Sequence, residues 1–198
     1  RLPEGTIAIG AALAVNGVAA YAFITVSSRD LGAESYSPVA MLWALSFLLG
    51  PGFFQPLEQE TARIVASRSG QGAGPVFRAA ARVGGLMAIL LSGLALVAAP
   101  WIIDKPFDGE PMLLVGLLLV VLGLGSAHLV RGVLAGLGRF GGYSRYVMGE
   151  GIGRLVLVAI LVAFAGGGIA IYGLAIGLAP FVGIGLAVTG QRGLLEPG

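Results

Sequence analysis

Six long apolar runs dominate this sequence, and a short polar or charged segment separates most of them. The runs occupy residues 6–26, 38–57, 76–103, 111–130, 146–165 and 169–189. About 20 helical residues cross the hydrocarbon core of a bilayer, and runs of this length without strict alternation can cross it only as helices. The pattern predicts an all-α, polytopic membrane protein, with residues 1–198 forming one bundle of six transmembrane helices.

The composition excludes an ordinary soluble domain, because 57% of the residues are hydrophobic and only 11% are charged. The chain has no cysteine and a single histidine, His128, which excludes thiolate and histidine-cluster metal sites. The net charge of +2 does not indicate a nucleic-acid partner. We therefore expect no metal, no cofactor and no nucleic acid. Because the sequence begins at Arg1 without a basic-then-apolar leader, we expect an internal part of a longer protein.

The positions of the arginines predict the orientation. Cytoplasmic loops carry an excess of Lys and Arg, so the arginine-rich side of the alternating loops is expected to be cytoplasmic. An even number of crossings puts both ends on the same side, which the arginines predict to be the cytoplasm. We expect the protein to lie in a cell inner (plasma) membrane and to cross it several times. On the predicted cytoplasmic side lie Arg1, Arg63, Arg68, Arg78, Arg82, Arg131, Arg139, Arg145 and Arg192; Arg29 and Lys105 lie on the other.

Arg154 is predicted to lie inside the membrane. Only residues 155–165 follow it before the glycines at 166–168, and eleven residues cannot cross a bilayer. An ionisable residue at that depth is a functional-site hypothesis, while a self-neutralising Glu150–Arg154 pair at i, i+4 is the structural alternative. Gly149 and Gly153 flank the pair as GxxxG, which permits close approach of another helix, and Gly173 and Gly177 repeat that motif.

The second run ends in QPLEQETARIVASR, residues 55–68. A helix that begins at Pro38 with Ser37 as its cap would reach the edge of the hydrocarbon near Glu58. Gln55 and Glu58 share one helix face and could line a path; the alternative is a solvated helix end. On another face, Glu60 and Arg63 are spaced to form an exposed ion pair.

Other polar residues in the runs leave two interpretations each. Asn16, near the middle of the first run, is either an interhelical hydrogen-bonding residue or a cavity residue. Arg82 either extends to the cytoplasmic headgroups or faces a cavity. His128 is either a proton site or simply hydrogen bonded. The glycines and prolines at 50–56 predict a kink, and the Leu-, Val- and Gly-rich run at 111–130 is expected to face lipid over much of its length.

No catalytic motif is convincing, so the sequence does not predict an enzyme and we assign no catalytic residue. GLGRFG at residues 136–141 matches GxGxxG, but it follows a membrane run rather than a strand. A Walker lysine, HExxH and an aspartate within any run are all missing. Ser126 and His128 lie two residues apart on one helix and therefore do not face each other.

Three segments give the chain a resemblance to a known family. They read SRDLGAESYSPVAMLW at 28–43, LLGPGFFQPLEQETAR at 48–63 and RGVLAGLGRFGGYSRY at 131–146. With these segments, residues 6–189 resemble the amino-terminal half of a polysaccharide-biosynthesis exporter of the multidrug/oligosaccharidyl-lipid/polysaccharide flippase superfamily. The resemblance implies two six-helix lobes around a cavity that opens alternately to either side, so a second lobe, from the parent chain or another copy, is the expected partner.

The resemblance also implies a substrate and the residues that would meet it. A lipid-linked oligosaccharide would be flipped in contact with membrane lipid, and its pyrophosphate would meet cavity arginines, Arg154 first and Arg82 next. Glu150 would hold Arg154 in position. The polar part of the cavity wall would be formed by Asn16, Gln55 and Glu58. Two alternatives stay open: a multidrug exporter of the same superfamily, and a non-transporting scaffold or assembly subunit that binds partners through its GxxxG faces.

Overall fold

The computed structural model describes residues 5–68 and 72–195, and within these ranges the secondary structure is entirely helical. The prediction of an all-α fold is confirmed, and the expectation of a membrane protein is supported by five helical stretches that are long and apolar enough to span a membrane: Thr6–Ser67, α3, α5, α6 and α7. The helices are α1 (Thr6–Leu49), α2 (Gln55–Ser67), α3 (Gly74–Val97), α4 (Ala99–Asp104), α5 (Pro111–Gly136), α6 (Phe140–Ala165) and α7 (Ile169–Val188), with a π-helical turn (Gly50–Phe54) between α1 and α2.

Helix α1 folds back on itself at Gly32, whose φ of 75° and ψ of 168° are not helical. The rings of Phe23 and Trp43 stack at 5.2 Å, whereas a straight helix would separate them by about 30 Å. Residues 6–31 and 33–49 are therefore two adjacent arms, and they contain most of the first two apolar runs. The expected loop at 27–37 and helix start at Pro38 are wrong, because helix continues on both sides of Gly32.

We expect Gly32→Ala to destabilise the fold by about 1–3 kcal/mol. The backbone at Gly32 lies in a region almost exclusive to glycine, and an added Cβ would meet no atom within 4 Å, so the cost is conformational. Gly17→Ala is the matched control: its Cβ also meets nothing, and alanine favours a regular helix. Thermal unfolding in detergent measures both variants. Equal midpoints for the two would contradict a strained turn at Gly32.

At the glycines and prolines where a kink is predicted, the structure has the π turn. The amide of Gln55 donates to the carbonyl of Gly50, five residues earlier, and the turn contains Pro51, which has no amide hydrogen to donate. Helix α2 then continues without a break, and the predicted Glu60–Arg63 pair is confirmed at 2.7 Å on its exposed face.

Two predicted loops are shorter than expected, and one run is divided. Helix α5 extends to Gly136 and α6 begins at Phe140, so the expected loop at 131–145 shrinks to a turn at Gly138, with φ of 69°. The charged end of the second run, expected to give way to a loop, stays helical to Ser67. The run at 76–103 breaks at Ala98 into α3 and α4.

Helix α5 lies at the centre of the bundle and packs against α1, α2, α3 and α7. Its side chains are mostly buried, so the expectation that this run faces lipid is wrong. Leucine and valine suit a protein core as well as lipid, and composition alone cannot distinguish the two. Helix α3 does face outward, and it exposes Leu86, Ile89, Leu90, Leu94 and Val97.

Glycines let α7 approach both of its neighbours closely, as the two GxxxG motifs predict. A Cβ on Gly116 of α5 would lie 2.8 Å from the carbonyl oxygen of Gly173, and one on Gly177 would lie 2.8 Å from that of Gly116. On the other side of α7, a Cβ on Gly153 of α6 would lie 2.7 Å from Val182. Helix α6 is thereby held against the bundle.

Candidate functional site

A cavity of about 430 Å³ lies between the arms of α1, the π turn, α2, α5, α6 and α7. Its mouth is at Leu13 and Phe47, which line the cavity and are also exposed. Much of its wall is apolar, including Val120, Leu124 and Ile176. The polar residues that line the cavity are Asn16, Ser46, Gln55, His128, Arg131, Glu150 and Arg154.

Arg154 of α6 is the most buried arginine of the cavity, with 6% of its surface exposed. Its Nη2 donates to Oε1 of Glu150 at 3.1 Å, so the predicted pair forms. The guanidinium carbon lies 4.5 Å from the ring centre of Trp43 and 5.8 Å from that of Phe23, both on α1. Its Nε has no hydrogen-bond partner among the described residues, so one strong donor is unused.

Glycines on α6 explain how this arginine comes to lie inside protein rather than in lipid. Gly149 and Gly153 face α7, while Gly151 faces the first arm of α1, where a Cβ would collide with Oδ1 of Asn16. That amide oxygen is buried and has no partner within the described part of the chain. Two helices therefore close around α6 at the depth of Arg154.

A second polar cluster joins α2, α5 and α6. Glu58, 8% exposed, lies 2.6 Å from Nδ1 of His128 through Oε2. Its other oxygen, Oε1, accepts a hydrogen bond from the hydroxyl of Tyr143 at 3.0 Å and lies 3.2 Å from Nη2 of Arg131. Both carboxylate oxygens are thus occupied, and the cluster ties three helices together.

Local packing explains why Glu58 can be buried here. It shares the buried face of α2 with Thr61 and Val65, and this face meets small residues of α5. A Cβ on Gly132 would lie 2.8 Å from the carbonyl oxygen of Glu58, and one on Gly136 would lie 2.6 Å from Val65. The two glycines bring α2 close enough for the carboxylate to reach α5.

Arg131 links this cluster to the cavity. Its guanidinium carbon lies 4.9 Å from the ring centre of Tyr143 and 5.4 Å from that of Tyr146, and it pairs with Glu58. Like Arg154, it lines the cavity and has an Nε without a hydrogen-bond partner in the described ranges. One buried arginine and one partly buried arginine, each paired with a glutamate, therefore present unused donors near one cavity.

The structure brings most of the predicted site residues together. Asn16, Gln55, Glu150 and Arg154 line the cavity, and Glu58 lies behind its wall, bonded to two residues that line it. Arg82 is exposed on α3 and is not among the lining residues, an exposure that fits extension to the headgroups.

Sequence reasoning missed Arg131 and Tyr143 as site residues and left His128 as an alternative. A signal was present in the spacing. His128 and Arg131 are i, i+3 on one helix, and so are Tyr143 and Tyr146 on the next, which places each pair on a single face.

Neither a metal-binding group in the described residues nor similarity to a known protein indicates a function for this chain. Within residues 5–68 and 72–195, no three His, Asp or Glu side chains are grouped so that they could hold a metal ion. No protein-family model matches this chain, and no curated protein or solved structure is significantly similar to it. The cavity and its arginines are therefore the basis for the functional argument.

Proposed function

We propose that this chain is one lobe of an alternating-access transporter in the plasma membrane, which moves a lipid-linked oligosaccharide across the bilayer. The observation that carries the proposal is Arg154: it is buried, it lines a cavity, and its Nε has no hydrogen-bond partner among the residues that the structure describes. A guanidinium is costly at membrane depth unless it has a partner or a function. Glu150 neutralises its charge but leaves a donor free, which suits a ligand that carries phosphate oxygens.

The proposed lobe crosses the membrane six times. The stretch Thr6–Ser67 would cross twice because it folds back at Gly32, and α3, α5, α6 and α7 would each cross once. Both ends would then lie in the cytoplasm, as the arginine distribution predicts. A second lobe, from the parent chain or another copy, would cover the open side of the cavity at Leu13 and Phe47.

Replacing Arg154 with methionine is expected to reduce flipping of a polyprenyl-diphosphate-linked sugar at least about tenfold, because one charge-assisted phosphate contact is lost. The measurement is the accumulation of unflipped lipid-linked sugar in cells that depend on the intact parent protein. Arg82→Met is the matched control, since Arg82 is exposed on α3 and does not line the cavity.

Misfolding must be separated from loss of function in this test, because methionine at 154 leaves Glu150 buried without its partner. The double variant Arg154→Met/Glu150→Gln removes both charges and should restore normal membrane levels without restoring transport. Normal flipping by Arg154→Met would refute the site.

The alternatives are less well supported by the same geometry. A multidrug exporter would need an aromatic pocket free for a cation, but Trp43, which lines the cavity, already contacts the Arg154 guanidinium. A scaffold acting through its GxxxG faces would need those faces free, but Gly149, Gly153, Gly173 and Gly177 all pack within the chain. A scaffold should also tolerate Arg154→Met whenever the helices still assemble.

A further inference from the structure

We propose that Nε2 of His128 is a proton-binding site that opens into the cavity, and that its protonation strengthens the binding of an oxyanion there. The oxyanion half of this inference rests on the proposed function; the proton site rests on the geometry of His128 itself. His128 is 5% exposed on α5, and it is the only histidine of the chain.

The contact with Glu58 fixes which ring nitrogen is free. Oε2 of Glu58 lies 2.6 Å from Nδ1, and an ionised carboxylate can only accept hydrogen bonds, so pairing with ionised Glu58 requires Nδ1 to be the donor. In the neutral ring, Nε2 then has the lone pair. The carboxylate is itself held by Tyr143 and Arg131, so the ring orientation is fixed by three helices.

Nε2 points toward the π turn. A Cβ on Gly50 would lie 3.5 Å from it, and among the described residues it has no hydrogen-bond partner. The ring of Phe54, from the same turn, lies 6.3 Å from the imidazole and nearly parallel to it. His128 and Gly50, the residue that Nε2 faces, both line the cavity, so Nε2 lies on the cavity side of the ring.

The charges around His128 determine what a proton there would do. Helix α2 contributes Glu58 and α5 contributes Arg131. Helix α6 contributes Glu150 and Arg154 together with the hydroxyls of Tyr143 and Tyr146. The arms of α1 and the π turn bring no charged side chain to the cavity wall, and α7 brings only Ile176 and Pro180. The charged groups of α3 are not among the lining residues.

The charges of the Arg131–Glu58 and Arg154–Glu150 pairs cancel, so these four residues and His128 together carry no net charge while His128 is neutral. They carry one positive charge once Nε2 is protonated. Protonated His128 also binds Glu58 as an ion, which weakens the hold of Glu58 on Arg131 and leaves that guanidinium more available to the cavity. Both effects favour an oxyanion. By reciprocity, binding of the oxyanion favours uptake of the proton.

The first test observes the proton site directly, without any ligand. The full chain, purified without a histidine tag and placed in nanodiscs, is labelled with ¹⁵N-histidine, and His128→Asn identifies the single imidazole signal by removing it. Spectra are recorded between about pH 5 and about pH 8, and we expect the Nε2 resonance to change reversibly with bulk pH. A resonance that ignores pH over this range would overturn the proposal.

The second test measures the coupling to an oxyanion. Inorganic sulfate is the probe because its charge is constant over this range. In a Trp101→Phe background, Trp43 is the only tryptophan, and its fluorescence reports on the cavity that it lines. Between about pH 8 and about pH 5.5, the affinity for sulfate should rise about fivefold or more in this background, and stay flat after His128→Asn.

A matched control and two further outcomes complete the design. Ser126→Ala, on the exposed face of α5 two residues away, should keep the full pH dependence. Sulfate binding that is independent of pH would overturn the coupling while leaving the proposed anion cavity intact. Failure of sulfate to bind at any pH would refute the anion cavity and the coupling together, leaving the proton site to be judged by its resonance alone.

Discussion

Replacing Glu58 with leucine should destabilise the folded chain by about 3–5 kcal/mol, the usual cost of removing one partner from a buried ion pair. Leucine fills a similar volume but accepts no hydrogen bond, so His128, Arg131 and Tyr143 would all lose their shared acceptor. The charge on Arg131 would then be buried without a counter-ion. Because the cluster joins α2, α5 and α6, its loss should lower the free energy of global unfolding.

The measurement is chemical unfolding in mixed micelles, followed by circular dichroism. Glu60→Leu is the matched control, because Glu60 lies two residues away on the same helix and its pair with Arg63 is exposed; it should change the unfolding midpoint little. Glu58→Gln, which keeps one acceptor oxygen, should fall between the two. If Glu58→Leu behaves like Glu60→Leu, the cluster does not hold the three helices together.

Replacing Gly116 with leucine should cost about 3 kcal/mol, at the upper end of the range for overpacked cores. The Cβ alone would lie 2.8 Å from the carbonyl oxygen of Gly173 and 3.0 Å from Leu42, and a backbone atom cannot move aside as a side-chain tip can. Helices α5 and α7 would have to separate. Since α7 also supports α6, the shift would displace Arg154 relative to Trp43.

Gly93→Leu is the control for this substitution. Gly93 lies on the exposed part of α3, and a Cβ there meets no atom within 4 Å, so leucine should be tolerated or slightly stabilising. Thermal unfolding and Trp43 fluorescence in a Trp101→Phe background report on stability and on the cavity. An unfolding midpoint for Gly116→Leu as high as that for Gly93→Leu would contradict the close crossing.

The sequence predicts a helix well wherever hydropathy alone determines where the helix lies. The runs that became α5, α6 and α7 are found, although α5 ends six residues later and α6 begins six residues earlier than predicted, and the turn at 166–168 follows from its glycines. The prediction of a loop at 27–37 is wrong because serine, aspartate and glycine are typical of turns. Serine and aspartate side chains bond to the nearby backbone, and glycine adopts turn conformations easily. In the structure these residues stay helical, and Gly32 alone makes the reversal.

In the candidate site, too, the sequence predicts the local contact and misses the long-range one. The Glu150–Arg154 pair is readable because i, i+4 residues meet on any helix. The contact of Glu58 with His128 joins residues 70 positions apart, and it depends on how α2 is rotated against α5. Hydropathy contains no information about that rotation, so the second cluster could be suspected only from the spacing of its members.

That rotation has a visible origin in the five residues 50–54. The hydrogen bond from Gln55 to Gly50 encloses one residue more than an α-helical bond does, and each residue advances an α-helix by about 100°. The added residue thus changes the phase of everything that follows it. A single α-helical wheel drawn from residue 33 to residue 67 would therefore place Glu58 about 100° away from its actual position relative to residues 33–49.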